Sequence, residues 1–182
     1  MKQAFLLAAL TLLLPIYHAP AQVRQVPLTE MVSSSGMIFA GRVLDVEGKT
    51  DERGDIVTVT TFRVETPIRG VLPGTVTITQ YGGVSEEGSM VLAHMRYFTE
   101  GERVLVLLYP ESELGFTSPI GMGQGVWTVN DRDEVVGLAD YLFTDIGGLM
   151  RQQKIVRTSD GRMPLAGMVE LIRTLTLGGG SK

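Results

Sequence analysis

Residues 56–66 alternate in character with a period of two, and this pattern constrains the fold more than any other in the chain. In an extended conformation one face carries Ile56, Thr58, Thr60, Phe62 and Val64. The other face carries Val57, Val59, Thr61, Arg63 and Glu65. Because Val, Ile and Thr dominate and their branched side chains disfavour helix, the segment predicts a β-strand. The core is therefore expected to be built on a sheet.

Further strands are predicted on both sides of this one. They cover residues 37–47, 75–79, 103–109, 126–129 and 134–137. Alternation in the first of them slips around Gly41, which predicts a bulge or bend. The continuous apolar run within 103–109 is typical of a strand that is covered on both faces. Residues 82–99 are irregular and predict a loop or a short helix, and residues 115–125 are rich in glycine.

Two helices are predicted at the ends of this strand-rich region. Residues 28–32 place apolar side chains at positions i, i+3 and i+4, which suits one or two turns. Residues 164–176 carry one apolar stripe, with Pro164 at the first helical position and Gly178 at the stop. We expect that stripe to pack across an open barrel end or a sheet face.

About five strands with glycine-marked bends and no intervening helices predict a mainly β protein, in the form of a small OB-like five-stranded Greek-key barrel. A sandwich is the alternative, and it needs more strands than the sequence offers. The 182-residue length suits one domain. We divide the chain into an export segment (1–21), the barrel (22–137) and a C-terminal extension with the helix (138–182).

The first 21 residues are typical of a cleavable signal peptide. A basic start, Met1-Lys2, precedes an apolar run over 4–14 that is shorter than the about 20 residues needed to span a bilayer. Ala19-Pro20-Ala21 supplies the small-x-small pattern for cleavage between Ala21 and Gln22. We expect export to the periplasm or outside the cell, with no membrane anchor after cleavage.

Three segments give the chain a family resemblance. They are Met37-Ile38-Phe39-Ala40-Gly41-Arg42-Val43, then Phe62-Arg63-Val64 with Ile68-Arg69-Gly70, and then residues 98–106, which contain Gly101-Glu102. Their order is similar to the netrin-like module, the OB-type barrel of tissue inhibitors of metalloproteinases, and the chain looks like a bacterial exported variant. The animal inhibitors chelate zinc through an N-terminal cysteine. This chain has no cysteine, and its expected first residue is Gln22.

Composition excludes several chemistries. Without cysteine there are no disulfides, thiolate metal sites or cysteine nucleophiles. After cleavage His94 is the one histidine, and no motif for a catalytic triad, zinc or nucleotide phosphate occurs. A net charge of −4 disfavours nucleic acid. We predict no enzyme activity, no catalytic residue, no metal and no cofactor. The alternative is a cell-envelope hydrolase that uses carboxylates or His94.

We predict a domain that binds another protein through the loop 49–55, because such loops lie at a barrel end. The candidate binding residues are Asp51, Glu52, Arg53, Tyr81, Phe116 and Trp127. The three aromatic residues among them sit near predicted strand ends, where OB barrels bind ligands. A row of exposed aromatic rings on one face would instead favour a glycan-binding module. The sequence sets neither the partner's identity nor the oligomeric state.

Overall fold

The computed structural model describes residues 24–178. The predicted signal peptide and the cleavage site between Ala21 and Gln22 lie outside the described residues. Of the described residues, 37% are in strands and 20% in helices, which confirms the predicted mainly β class.

The main sheet has five strands in the order β3-β2-β1-β6-β7, and each neighbouring pair is antiparallel. A separate ribbon, β4–β5, follows β3 in the chain. The bounds of these strands are β1 Met37–Thr50, β2 Ile56–Arg69, β3 Gly74–Tyr81, β4 Gly83–Ser85, β5 Gly88–Met90, β6 Arg103–Leu108 and β7 Val126–Thr128.

β1 and β2 each run three residues beyond their predicted ends, because they pair along their whole length, from Thr50–Ile56 to Ile38–Arg69. The ladder therefore continues through residues whose side chains are polar. The bend predicted at Gly41 is confirmed, since the register shifts between Ala40 and Gly41. A Cβ atom at Gly41 would overlap the carbonyl oxygen of Arg63 on β2.

The β4–β5 ribbon occupies a segment that the sequence predicted as a loop or a short helix. Gly82 and Gly83 adopt φ angles of 83° and 129°, which turn the chain back over the end of the β1–β2 hairpin. The hydroxyl of Thr58 donates a hydrogen bond of 2.7 Å to the Gly82 carbonyl and fixes this turn. Each ribbon strand has three residues, too few for periodicity to reveal.

Apolar side chains pack on both faces of the sheet, and β6 is buried on both sides as predicted. On the inner face, the ring centroid of Phe62 lies 5.3 Å from that of Phe39 and 4.9 Å from that of Phe98, both edge-on. This inner cluster comprises Phe39, Val43, Phe62, Val64, Ile78, Phe98, Val104, Val106 and Leu108.

The outer face, which carries Ile38, Leu105 and Leu107, is covered by helices and the C-terminal part of the chain. The helices are α1 Leu28–Ser34, a 3-10 turn at Asp140–Phe143, α2 Gly147–Gln152 and α3 Leu165–Gly178. The predicted apolar stripe of α3 is confirmed, since Met168 and Ile172 are fully buried and Leu165 and Val169 are nearly so.

Two short strands differ from expectation near the end of the chain. β8 covers only Glu134–Val135, and it pairs with β9, Met163–Pro164. Pro164 therefore ends a strand, and α3 begins one residue later than predicted. Between residues 24 and 178 we find no helix with the length and apolar character that crossing a bilayer requires.

Candidate functional site

The turn between β1 and β2 is organised by the carboxylate of Asp51. Its Oδ1 accepts hydrogen bonds of 2.9 Å from the backbone N–H groups of Arg53 and Asp55. Gly54, with φ of 86°, completes the turn. The hydrogen bond from the Asp55 amide is the main reason that the pKa of Asp51 lies below its usual value. The tip of the hairpin therefore has a defined shape.

Arg53 connects this turn to the loop 109–118. Its Nη2 donates a hydrogen bond of 3.1 Å to the carbonyl oxygen of Leu114. Its guanidinium carbon lies 5.4 Å from the centroid of the Phe116 ring, in cation–π range. Nε lies 3.6 Å from Oδ2 of Asp51, which balances the charge. One side chain thus joins two segments that are remote in sequence.

The loop 109–118 is itself anchored to the sheet by hydrogen bonds from Thr117. Its backbone N–H donates to the carbonyl of Thr79 on β3 at 2.9 Å, and its hydroxyl donates to the carbonyl of Tyr109 at 2.7 Å. The N–H of Tyr109 in turn donates to the carbonyl of Ser118 at 2.9 Å. These bonds hold the loop beside the end of β3.

A groove of about 310 Å³ opens where the loop meets the sheet. The rings of Tyr81 and Phe116 lie in it, with centroids 5.8 Å apart and planes tilted by 55°. The Tyr81 hydroxyl donates to Oδ1 of Asp55 at 3.3 Å. The negative charge of Asp55 is the largest cause that raises the pKa of this phenol. The groove is lined by Tyr81, Met95, Tyr109, Pro110, Ser112, Phe116, Thr117 and Ser118.

We name the turn 51–55 together with this groove the hairpin-end surface. It unites five of the six residues that the sequence singled out for binding, namely Asp51, Glu52, Arg53, Tyr81 and Phe116. Glu52 is exposed at the tip of the turn. Among the groove residues that were not candidates are Met95 and Tyr109, and the Tyr109 side chain is exposed. The sequence offers one signal for Tyr109, its position at the end of the predicted strand 103–109, and none for Met95.

Trp127, the sixth candidate, lies elsewhere. It pairs with Leu105 across β7 and β6, and paired residues share a face of the sheet. Leu105 belongs to the cluster under the helices, so the Trp127 ring is buried there and is only 5% exposed. The structure therefore places Trp127 in the core, away from the hairpin-end surface.

The residues considered for hydrolysis are scattered. His94 is exposed in a turn with φ of 65°, and no hydrogen bond or ion pair involves its side chain within residues 24–178. Glu86 and Glu87 are exposed between β4 and β5. Glu102 forms an ion pair of 2.5 Å with Arg96. In the described part of the chain, no three His, Asp or Glu side chains are grouped as a metal site would require.

A cluster of ion pairs lies at the start of β6, the end of that strand farther from the loop 109–118. Arg103 forms ion pairs with Glu65 at 2.6 Å and with Asp133 at 2.5 Å, and hydrogen bonds from it to these two carboxylates raise its pKa. Because the guanidinium is already paired with both carboxylates, this cluster suits a structural role.

Comparison of the chain with protein-family models, curated proteins and solved structures found no match.

Proposed function

We propose that this chain is an exported, non-catalytic domain that binds another protein through its hairpin-end surface. The observation that carries the proposal is the convergence of Arg53, Tyr81 and Phe116 beside one groove at the surface. They come from three separate segments. Such a convergence of aromatic and arginine side chains has the composition of the energetically important part of a protein–protein interface.

The hairpin-end surface is already ordered before a partner binds, which supports a role in protein binding. Arg53 is held by Asp51 and by the Leu114 carbonyl, and the loop is held by Thr117. Side chains that are already ordered lose little conformational entropy when a partner binds, so more of the contact energy appears as affinity. The Tyr and Phe rings supply large contact areas with few rotatable bonds.

The fold that we propose for this domain is an OB-like barrel of the netrin-like type. The strand order β6-β1-β2-β3 supports it, because a fourth strand that returns beside the first of a three-strand meander defines a Greek key. The hydrogen bond from Thr117 to Thr79 adds support, since it brings the segment before β7 against β3.

Export is part of the proposal and rests on the sequence before residue 22. Mass spectrometry of the protein recovered from extracytoplasmic fractions tests it. An N-terminus at Gln22 is expected there. A chain that keeps Met1 and stays in the cytoplasm would refute export while leaving the binding proposal open.

Cross-linking in living cells tests the binding surface. A photo-reactive amino acid replaces Phe116 in one variant and Leu72 in a matched control, since Leu72 is 83% exposed in the turn at the opposite end of β2. We expect a discrete protein adduct from position 116 and none from position 72. Equal labelling from both positions, or no adduct from position 116, would contradict the proposal.

A glycan-binding module is the second candidate. The observation that favours it is that Tyr81, Tyr109 and Phe116 line one groove, as rings that stack on sugars do. Co-sedimentation of the purified chain with cell-envelope polysaccharide separates the two functions. Sedimentation that is lost in Tyr109→Ala, together with no protein adduct at position 116, would favour the glycan.

A further inference from the structure

The segments that form the hairpin-end surface carry a strong excess of negative charge. Residues 51–55 and 109–118 together contribute the acidic side chains Asp51, Glu52, Asp55, Glu111 and Glu113. Arg53 is their one basic side chain, and it is already paired with Asp51. These two segments are therefore acidic, although the lining of the groove is mainly apolar and aromatic.

The acidic side chains come from both segments of the hairpin-end surface. Glu111 and Glu113 are exposed and alternate with Pro110 and Ser112, which line the groove. In the other segment Asp55 contacts the hydroxyl of Tyr81. The negative charge of Asp55 is the largest cause that raises the pKa of the Tyr81 phenol, and the charge of Asp51 adds to it.

The molecule also shows how a cation is accommodated here. The Arg53 guanidinium lies over the Phe116 ring, with the Asp51 carboxylate beside it. Tyr109, which is 40% exposed, offers a second ring, and Glu111 lies two residues further along the chain. A guanidinium or ammonium group from a partner can use the same combination of ring and carboxylate.

We infer that the partner presents an extended segment in which Arg or Lys side chains alternate with apolar residues or proline, and that this segment lies in the groove, next to the acidic segments 51–55 and 109–118. The inference rests on the proposed function and adds the chemistry of the partner. The apolar residues contact Tyr81, Met95 and Phe116, and the basic residues pair with the carboxylates of the two acidic segments.

Defined peptides test this inference on the purified chain. Three labelled peptides are compared by fluorescence anisotropy: one with Arg alternating with Pro and Leu, one with Gln in place of Arg, and one with Glu. We expect the Arg peptide to bind at least about tenfold more tightly than the Gln peptide, and its affinity to fall as salt is added. The Glu peptide is not expected to bind.

Matched variants locate the effect. The double variant Glu111→Gln with Glu113→Gln is expected to lower the affinity for the Arg peptide by about tenfold. Tyr109→Ala should lower the affinity for every peptide that binds. Glu86→Gln with Glu87→Gln is the control, because it removes two exposed carboxylates from the β4–β5 turn. All of these positions are exposed, and equal unfolding midpoints would verify that the variants fold.

The outcomes separate this inference from the proposed function. Equal binding of the Arg and Gln peptides, equal effects of the two double variants, or no binding by any peptide overturns the inference. An adduct from position 116 that maps to an acidic or neutral partner segment also overturns it but keeps protein binding as the function. Absence of any adduct overturns the function itself.

Discussion

The guanidinium carbon of Arg53 lies 5.4 Å from the ring centroid of Phe116, so the tip of the β1–β2 hairpin and the loop 109–118 share one contact. The same guanidinium donates to the Leu114 carbonyl. Because this contact lies at the surface, its energy is modest, but it sets the relative position of the two segments that form the groove.

Replacing Arg53 with Met keeps an unbranched side chain but removes the charge and the hydrogen bond. We expect the free energy of unfolding to fall by about 1 kcal/mol, the size of an exposed cation–π contact with one hydrogen bond. Urea denaturation measures it. Arg63→Met is the control, since Arg63 is an exposed arginine on β2, and its effect should stay within about 0.5 kcal/mol. Equal losses would show that the Arg53 contact contributes nothing.

Asp51 should make stability depend on pH on the acid side. Its folded-state pKa lies below the ordinary 3.8, so its contribution is complete above that value and is lost as the pH falls through the lower, folded-state pKa. In Asp51→Asn we expect less stability at neutral pH and a shallower decline at acid pH. Urea midpoints measured from neutral to acid pH test this, and parallel curves for the two proteins would contradict it.

Phe62 should be the most sensitive position of the inner cluster, because its ring contacts both Phe39 and Phe98 edge-on. Phe62→Ala is expected to cost about 3–5 kcal/mol, a large part of the about 5–15 kcal/mol that typically stabilises a domain. Phe62→Leu retains most of the buried volume and should cost less. Chemical denaturation ranks the two variants, and similar small losses would mean that the cluster is loosely packed.

Gly48 should be intolerant of any side chain. A Cβ atom there would overlap the carbonyl oxygen of Val84, where β4 crosses β1. Gly48→Ala must therefore displace the ribbon, and we expect faster amide exchange in β4 and β5 with lower stability. Gly88→Ala is a matched control, because its Cβ would make an ordinary contact of 3.6 Å with Ile56. If both variants behaved alike, the close crossing would be in doubt.

The alternation of residues 56–64 and the apolar run of residues 104–108 were sufficient to predict the sheet, because both report burial along a single strand. The helix at residues 165–178 was predictable for the same reason. Features that depend on one strand or helix at a time are therefore accessible from the sequence.

The candidate site could be predicted from the sequence only in part. Residues 51–55 were predicted to lie exposed in a loop between two strands, but their contact with Phe116 depends on how a second loop folds back across the sheet. Trp127 shows the other limit. Its strand has three residues, and which face the ring occupies is decided by its pairing with Leu105 rather than by any local pattern.

The burial of β6 on both faces has a consequence for how the molecule opens. Val104 and Val106 belong to the inner cluster, whereas Leu105 and Leu107 belong to the cluster under the helices. Neither cluster can lose β6 without exposing the other to water. Deuterium should therefore reach the amides of residues 104–107 only when the entire polypeptide unravels, which makes this strand the slowest-exchanging part of the chain.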